Sequence, residues 1–388
     1  MDIDYTLVDD TKSLEEFERA TRGLTWLAFD TEFIGEKRYQ TLLCLIQVAC
    51  ESGIYLLDPL RLPDIDPLLA LIEDPRVRKI THAGDNDYRL LYSLYGTVPQ
   101  NVFDTQVSGG FVGYRYPTSF SKLVEAELGL RLGKGYAVTD WEQRPFRTKQ
   151  LKYALEDVTP LYDLYQSLMK KLEAVNRADW ALEECAIWTS EDYYLRSPYH
   201  EALNSKLIQN LKNREQVFLI RLLEWRRSRA EEKNYSKEMI LPTKVISQIV
   251  KSVRSGRDAL TENRRIPGNT VKRYADLFVR LYEDPATEEE RAVLKKIPRH
   301  VSETEREDML MELLYLLMKY RSQEENISHQ LVMPRNAIRK MKDDPEVRQL
   351  MLGDGWRREL LGEQFSSWLE DFDRLQVKIN GGKIEIGL

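Results

Sequence analysis

Apolar positions follow two different periods along the chain. Up to about residue 175, short apolar runs at 26–29, 41–49, 54–57 and 77–80 are bounded by turn residues such as Glu51-Ser52-Gly53 and Asp58-Pro59, and their lengths predict strands. Among and after them, apolar residues recur at helical spacing over 14–19, 65–72, 87–94 and 120–128, and then as one long helix over 149–174. Strands crowd the front of this segment and helices its end. The pattern predicts an α/β domain with a mixed sheet rather than a regular doubly wound one.

Beyond residue 199 the period is helical almost throughout. Helices are expected over 209–232, 242–253, 270–282, 305–321, 334–342 and 356–372, and only 377–386, alternating around Gly381-Gly382, reads as a small hairpin. The acidic, proline-containing stretch from Glu283 to Glu290 marks a boundary between two helical units. The expected layout is three domains: 1–200, 205–285 and 300–388.

Composition narrows the classes. With 388 residues, 42% hydrophobic and 31% charged, the chain is too large for one average domain and too apolar to be disordered. Three cysteines, Cys44, Cys50 and Cys185, in no metal-binding spacing, and four histidines leave little material for a zinc site. They fit a reducing compartment. The acidic start, with no basic-then-apolar leader layout, and the lack of a long apolar run lead us to expect a cytoplasmic protein that does not enter membranes.

The net charge of −6 conceals a segregation. Residues 206–280 hold 18 Lys and Arg against 8 Asp and Glu, whereas 1–205 and 281–388 are both acidic overall. A basic block of this size is the footprint expected of a polyanion-binding segment.

Three acidic clusters carry the candidate chemistry. In Asp30-Thr31-Glu32, at the end of the run 26–29, the two carboxylates are two residues apart, so a strand points both to one face beside a buried sheet. Paired anions repel unless a cation lies between them, and hard divalent cations favour such oxygens. Alone, the triplet favours the plainer reading of a strand running out into a polar loop. The second cluster, His82-Ala83-Gly84-Asp85-Asn86-Asp87-Tyr88, lies where a strand gives way to a helix, where Asp is commonly a cap or a first-turn charge. The third places Tyr153 and Asp157 at i and i+4 on one helix face.

Together these clusters resemble the motifs of the DEDD exonucleases, in the tyrosine subclass, and of ribonuclease D within it. Phe29-Asp30-Thr31-Glu32-Phe33 with Leu45-Ile46-Gln47 matches the first motif, His82 to Tyr88 the second, and Tyr153-Ala154-Leu155-Glu156-Asp157-Val158 the third. Thr139-Asp140-Trp141-Glu142-Gln143-Arg144-Pro145 and Phe103-Asp104-Thr105 also fit. The resemblance implies a ribonuclease H-like mixed sheet with flanking helices. It also implies two divalent ions, Mg²⁺ or Mn²⁺. Asp30 would bridge them, with Glu32 and Asp157 on the nucleophile side and Asp87 on the other. Tyr153 would orient the attacking water, and Asp85 would be left as the helix cap. Phe33, Gln47 and His82 are the implied substrate-binding residues. The implied reaction is stepwise 3′ to 5′ hydrolysis of RNA, releasing 5′-mononucleotides, with structured RNA such as tRNA precursor 3′ ends as substrate.

The segment Leu222-Leu223-Glu224-Trp225-Arg226-Arg227, followed by Leu241-Pro242, is similar to an HRDC domain, and Gly355-Trp356-Arg357-Arg358 to a second HRDC-like unit. The first coincides with the basic block, so Arg226, Arg227, Arg229, Lys233, Arg254, Arg257, Arg264, Arg265, Lys272 and Arg273 are the candidate nucleic-acid contacts. The second, being acidic, is expected to pack against its neighbours. Two other readings stand beside the ribonuclease: a DNA exonuclease with the same motifs, and a nucleic-acid-binding scaffold with a decayed site, although no acid is missing. No phosphate loop points to a helicase, and nothing points to a protein partner.

Overall fold

The computed structural model describes residues 3–133, 139–297, 304–371, 374, 376–380 and 383–387. Six strands form one sheet: β1 (Thr6–Val8), β2 (Trp26–Ile34), β3 (Leu42–Cys50), β4 (Gly53–Leu57), β5 (Arg78–Thr81) and β6 (Val102–Asp104), in the order β1-β4-β3-β2-β5-β6. The sheet is mixed as expected: β1 lies parallel to β4, β2 to β5 and β5 to β6, while β3 and β4 are antiparallel. The pattern missed β1 and β6, each three residues long and too short to show a period.

Register determines where chemistry can collect. Ala28 pairs with Ile80, and Ile80 with Phe103. Asp30, two residues beyond Ala28, and Asp104, one beyond Phe103, therefore fall at the carboxyl end of the parallel strands, the end where open α/β sheets place their sites.

Helices flank the sheet: α1 (Thr11–Ala20), α2 (Asp66–Glu73), α3 (Asp85–Tyr95), α4 (Thr105–Phe111), α5 (Phe120–Leu128), α6 (Thr148–Val158), α7 (Leu161–Ala174) and α8 (Ala178–Cys185). The single helix expected over 149–174 is two. Pro160 lacks the N–H needed to continue the ladder, and the chain restarts at Leu161. Cys44, Cys50 and Cys185 are buried, and among the described residues none is in a disulfide.

The chain divides into two compact units, each discontinuous in sequence: 1–32, 43–194 and 303–388 make one, and 33–42 with 195–302 the other. The C-terminal helices, expected as a domain of their own at 300–388, fall in the same unit as the sheet. Their apolar residues Met311, Leu314, Leu331, Trp356 and Phe365 join the core that contains Phe29, Phe103 and Phe111. Trp356 packs edge-on against Phe111 with ring centres 4.7 Å apart. Its N–H and that of its indole meet Glu183 and Glu184, and Glu184 also holds Arg357 at 2.7 Å. The expected helix 356–372 breaks at Gly362, whose φ of +81° suits glycine, into Trp356–Leu361 and Glu363–Glu370. The predicted hairpin pairs Gln376–Asn380 with Lys383–Gly387; its Gly381-Gly382 turn lies outside the described residues.

In the second unit, helices Asn213–Lys233, Thr243–Val253, Gly256–Glu262 and Gly268–Glu283 enclose a separate core built on Phe218, Leu222, Ile249 and Phe278. The acidic stretch after Glu283 belongs to this unit. Arg221 gathers the carbonyls of Leu281, Asp284 and Pro285 and pairs with Glu290 at 2.6 Å. Among the described residues no helix is long and apolar enough to cross a membrane.

Candidate active site

The carboxylates of Asp30, Glu32 and Asp157 converge so that one oxygen from each lies within 4.8 Å of the others. Strand alternation brings Asp30 and Glu32 to one side, and α6 delivers Asp157, with Tyr153 one turn earlier on the same helix face. Glu32 is buried, while Asp30 and Asp157 keep some access to solvent. Asp87 reaches the cluster from the first turn of α3 and accepts a hydrogen bond from the Thr31 hydroxyl.

Crowding of like charges in a buried place has the expected electrostatic result. Burial, reinforced by the charges of Asp157 and Asp87, pushes Glu32 up to about 8. Burial likewise raises Asp87 and Asp157 to about 7. Asp30 is raised well above the carboxylate range by burial and then by Asp87, Asp157 and Glu32. Burial and the same anions hold the Tyr153 phenol far above its ordinary value, so it stays protonated. Among the described residues Asp157 also keeps its Oδ2 buried with no hydrogen-bond partner. An all-oxygen donor set, mutual repulsion and an orphaned carboxylate oxygen fit a hard divalent cation.

The surroundings fix these groups. Tyr153 lies against Trp141, ring centres 6.3 Å apart. Trp141 sits in a segment anchored by Arg144, which pairs with the buried Asp58 at 2.7 Å and donates to the Cys44 carbonyl at 2.7 Å. Gln150 ties α6 to the same segment through the Asp140 carbonyl at 3.0 Å. Asp85 is not the cap of α3. The cap is Gly84, and Asp85 instead binds Arg89 at 2.9 Å and the Tyr193 hydroxyl at 2.7 Å. The Gly84 N–H donates to Asp104, a carboxylate that also caps α4.

The implied substrate residues divide. Phe33 is exposed. Gln47 is wholly buried and among the described residues both ends of its amide lack partners, so it has no surface to offer a substrate. Both ring nitrogens of His82 are used internally, Nδ1 with the Thr105 hydroxyl at 2.9 Å and Nε2 with the Thr118 carbonyl at 3.1 Å.

The basic candidates divide as well. Arg226 is buried and structural: it binds Glu201 at 3.0 Å, Glu238 at 2.7 Å and the Lys237 carbonyl at 3.0 Å. Arg227 faces Glu224, and Arg257 pairs with Asp276. Arg254, Arg264, Arg265 and Lys272 are exposed. Arg229, Lys233 and Arg273 line a groove of about 690 Å³ with Trp225, Tyr274 and Arg280. The groove exists because positions 225, 229 and 233 form one stripe of a helix and 273, 277 and 280 form the facing stripe of another. Trp225 and Tyr274 meet edge-on at 4.8 Å. Reading charge alone missed the aromatic members and Arg280; the i, i+4, i+8 spacing from Arg229 and Lys233 leads back to Trp225, and the i, i+4, i+7 spacing from Arg273 leads on to Arg280.

Comparison with known proteins adds the family likeness. Residues 5–173 match the 3′–5′ exonuclease family and residues 215–282 the HRDC domain. The chain therefore carries a 3′–5′ exonuclease domain followed by an HRDC domain. Along almost its whole length it is ribonuclease D-like. It is 29% identical to ribonuclease D of Bartonella henselae over 97% of this chain and 93% of that protein, and 25% identical to ribonuclease D of Escherichia coli over 95% and 100%. The crystal structure of E. coli RNase D, described as an exoribonuclease involved in structured RNA processing, shares the fold with a TM-score of 0.81 and 24% identity. That match covers 95% of this chain and all of that one.

Proposed function

We propose that this protein is a 3′ to 5′ exoribonuclease that hydrolyses RNA ends to 5′-mononucleotides. The observation that carries the reading is the convergence of Asp30, Glu32 and Asp157, with Tyr153 beside them, in a 3′–5′ exonuclease domain whose relatives are named ribonuclease D. Asp30, Glu32, Asp87 and Asp157 would hold two ions, Mg²⁺ or Mn²⁺. When bound, such ions lower the pKa of water and stabilise the leaving oxyanion. The protonated Tyr153 would orient the attacking water, and Trp141 beside it fixes the ring. Structured RNA, including tRNA precursor 3′ ends, is the substrate class this reading favours. In the second unit, the Trp225–Tyr274 groove would hold single-stranded RNA by stacking and by phosphate contacts from Arg229, Lys233, Arg273 and Arg280.

The test uses 5′-labelled RNA and DNA with Mg²⁺, Mn²⁺ or EDTA, beside an Asp30→Ala variant. Stepwise shortening of RNA that disappears with EDTA and in the variant supports the reading. Equal activity in the variant overturns the site, and a clear preference for DNA overturns the substrate.

A further inference from the structure

A second cationic cavity, of about 510 Å³, opens in the unit that contains the sheet. One wall is the loop after α4, with Tyr114 and Arg115; the other is the end of the helix Glu305–Glu324 and the residues after it, with Lys319, Gln323, Asn326 and His329. Among the described residues no carboxylate lines it. Neither Arg115 nor Lys319 forms an ion pair among the described residues. Lys319 instead faces the Tyr315 ring at 5.9 Å and adds its charge to the burial that holds His329 below the ordinary imidazole value.

The walls are fixed to one another. The Ser328 N–H donates to the Gly110 carbonyl at 2.8 Å, and the Tyr116 N–H to the Ser328 hydroxyl at 2.9 Å. Gly113, at a φ of +93°, lets the Asn326 amide approach so closely that a Cβ would fall 2.4 Å from its nitrogen. Tyr114 donates its hydroxyl to Glu127, whose charge Lys171 neutralises. The loop then leads to the active-site end of the sheet. Thr118, three residues beyond Arg115, accepts from His82, five residues before Asp87. Three residues span at most about 10 Å.

A fixed cavity with two unpaired cations, a histidine and side-chain amides, and no carboxylate, is built for phosphate together with the hydroxyl and base edges of a nucleotide. Its volume far exceeds one phosphate group, which points to a segment of a polymer.

We infer that this cavity holds the backbone of the RNA substrate away from the scissile bond, with Arg115 and Lys319 on its phosphates. The inference rests on the exoribonuclease reading. Its test is the binding of a long single-stranded RNA in EDTA at a series of salt concentrations, for the wild type and an Arg115→Gln/Lys319→Gln variant of unchanged melting temperature. Losing two phosphate contacts should flatten the salt slope by about 1.4 and weaken binding on the order of tenfold. The ratio of kcat/KM on the long RNA to that on a short oligonucleotide should fall with it. Arg115→Lys with Lys319 intact, which keeps both charges, should retain the wild-type slope. Unchanged affinity and slope in the double variant, or an equal loss of kcat/KM on long and short substrates, overturns the cavity assignment. Failure of the wild type to bind or shorten RNA overturns instead the reading on which it rests.

Discussion

Asp104 Oδ2 accepts the backbone N–H of Gly84 at 2.8 Å, while Oδ1 accepts those of Gln106 and Val107 at 2.8 and 3.1 Å. One buried carboxylate thus fixes the starts of both α3 and α4, and α3 carries Asp87. Asp104→Ala leaves three N–H groups without their acceptor and should cost about 2–3 kcal/mol. It should also lower kcat on the order of tenfold or more through a displaced Asp87. Melting curves and single-turnover rates check this, and Asp104→Asn, which keeps one acceptor oxygen, should lie between. Full activity in Asp104→Ala would show that α3 needs no such tie.

The carboxylate cluster predicts how pH acts on the metal-free protein. Glu32, raised to about 8, and Asp87 and Asp157, raised to about 7, bind protons in the folded state that the unfolded chain has already released. Folded pKa values above the unfolded ones give stability that is present at low pH and lost as pH rises through about 5 to 8. In EDTA the melting temperature should therefore fall over that interval. Mg²⁺ or Mn²⁺ should restore it most strongly at the alkaline end, and Asp157→Asn should raise it there. A flat profile in EDTA would contradict the cluster's repulsion.

Tyr153→Phe removes the hydroxyl and keeps the ring against Trp141. Because the phenol stays protonated, its role is to orient, so kcat should fall by about a hundredfold with the Mn²⁺-induced rise in melting temperature intact. The wild-type rate should show no alkaline step from phenol ionisation. A step near pH 10, absent in Tyr153→Phe, would mean that the tyrosine acts as a base.

Neighbouring arginines on one helix should behave differently. Arg226→Ala breaks a buried hydrogen-bonded network and should destabilise the second unit by about 3 kcal/mol. Arg229→Ala combined with Lys233→Ala and Arg273→Ala should leave its melting nearly unchanged and flatten the salt dependence of RNA binding by about 2. Thermal denaturation and binding isotherms separate the two. If the triple variant binds as the wild type does, the groove is not the contact surface.

The sheet and the acids were legible because each leaves a local mark: the run 26–29, the two-residue spacing of Asp30 and Glu32, the i, i+4 spacing of Tyr153 and Asp157. What escaped was set by contacts between distant residues. Periodicity shows that the helix Trp356–Leu361 has an apolar face but cannot say that Phe111 covers it. Charge counting marks Arg226 and Arg229 alike, and only the fold surrounds one with Glu201 and Glu238 and leaves the other on a groove. Gln47 shows the same limit: β3 is buried along both faces, and its apolar neighbours do not say whether the one polar side chain among them opens to solvent.

Because the sheet-containing unit is interrupted by residues 195–302, its core closes only when the C-terminal helices arrive. At 5 to 20 residues per second, the ribosome reaches Leu369 roughly 10–35 s after Tyr194. Until then Phe111 and its neighbours lack the Trp356 and Leu331 that cover them. The carboxylates gain a settled scaffold only at the end of synthesis, so a chain truncated after the second unit carries every residue of the active site without a finished core to hold it.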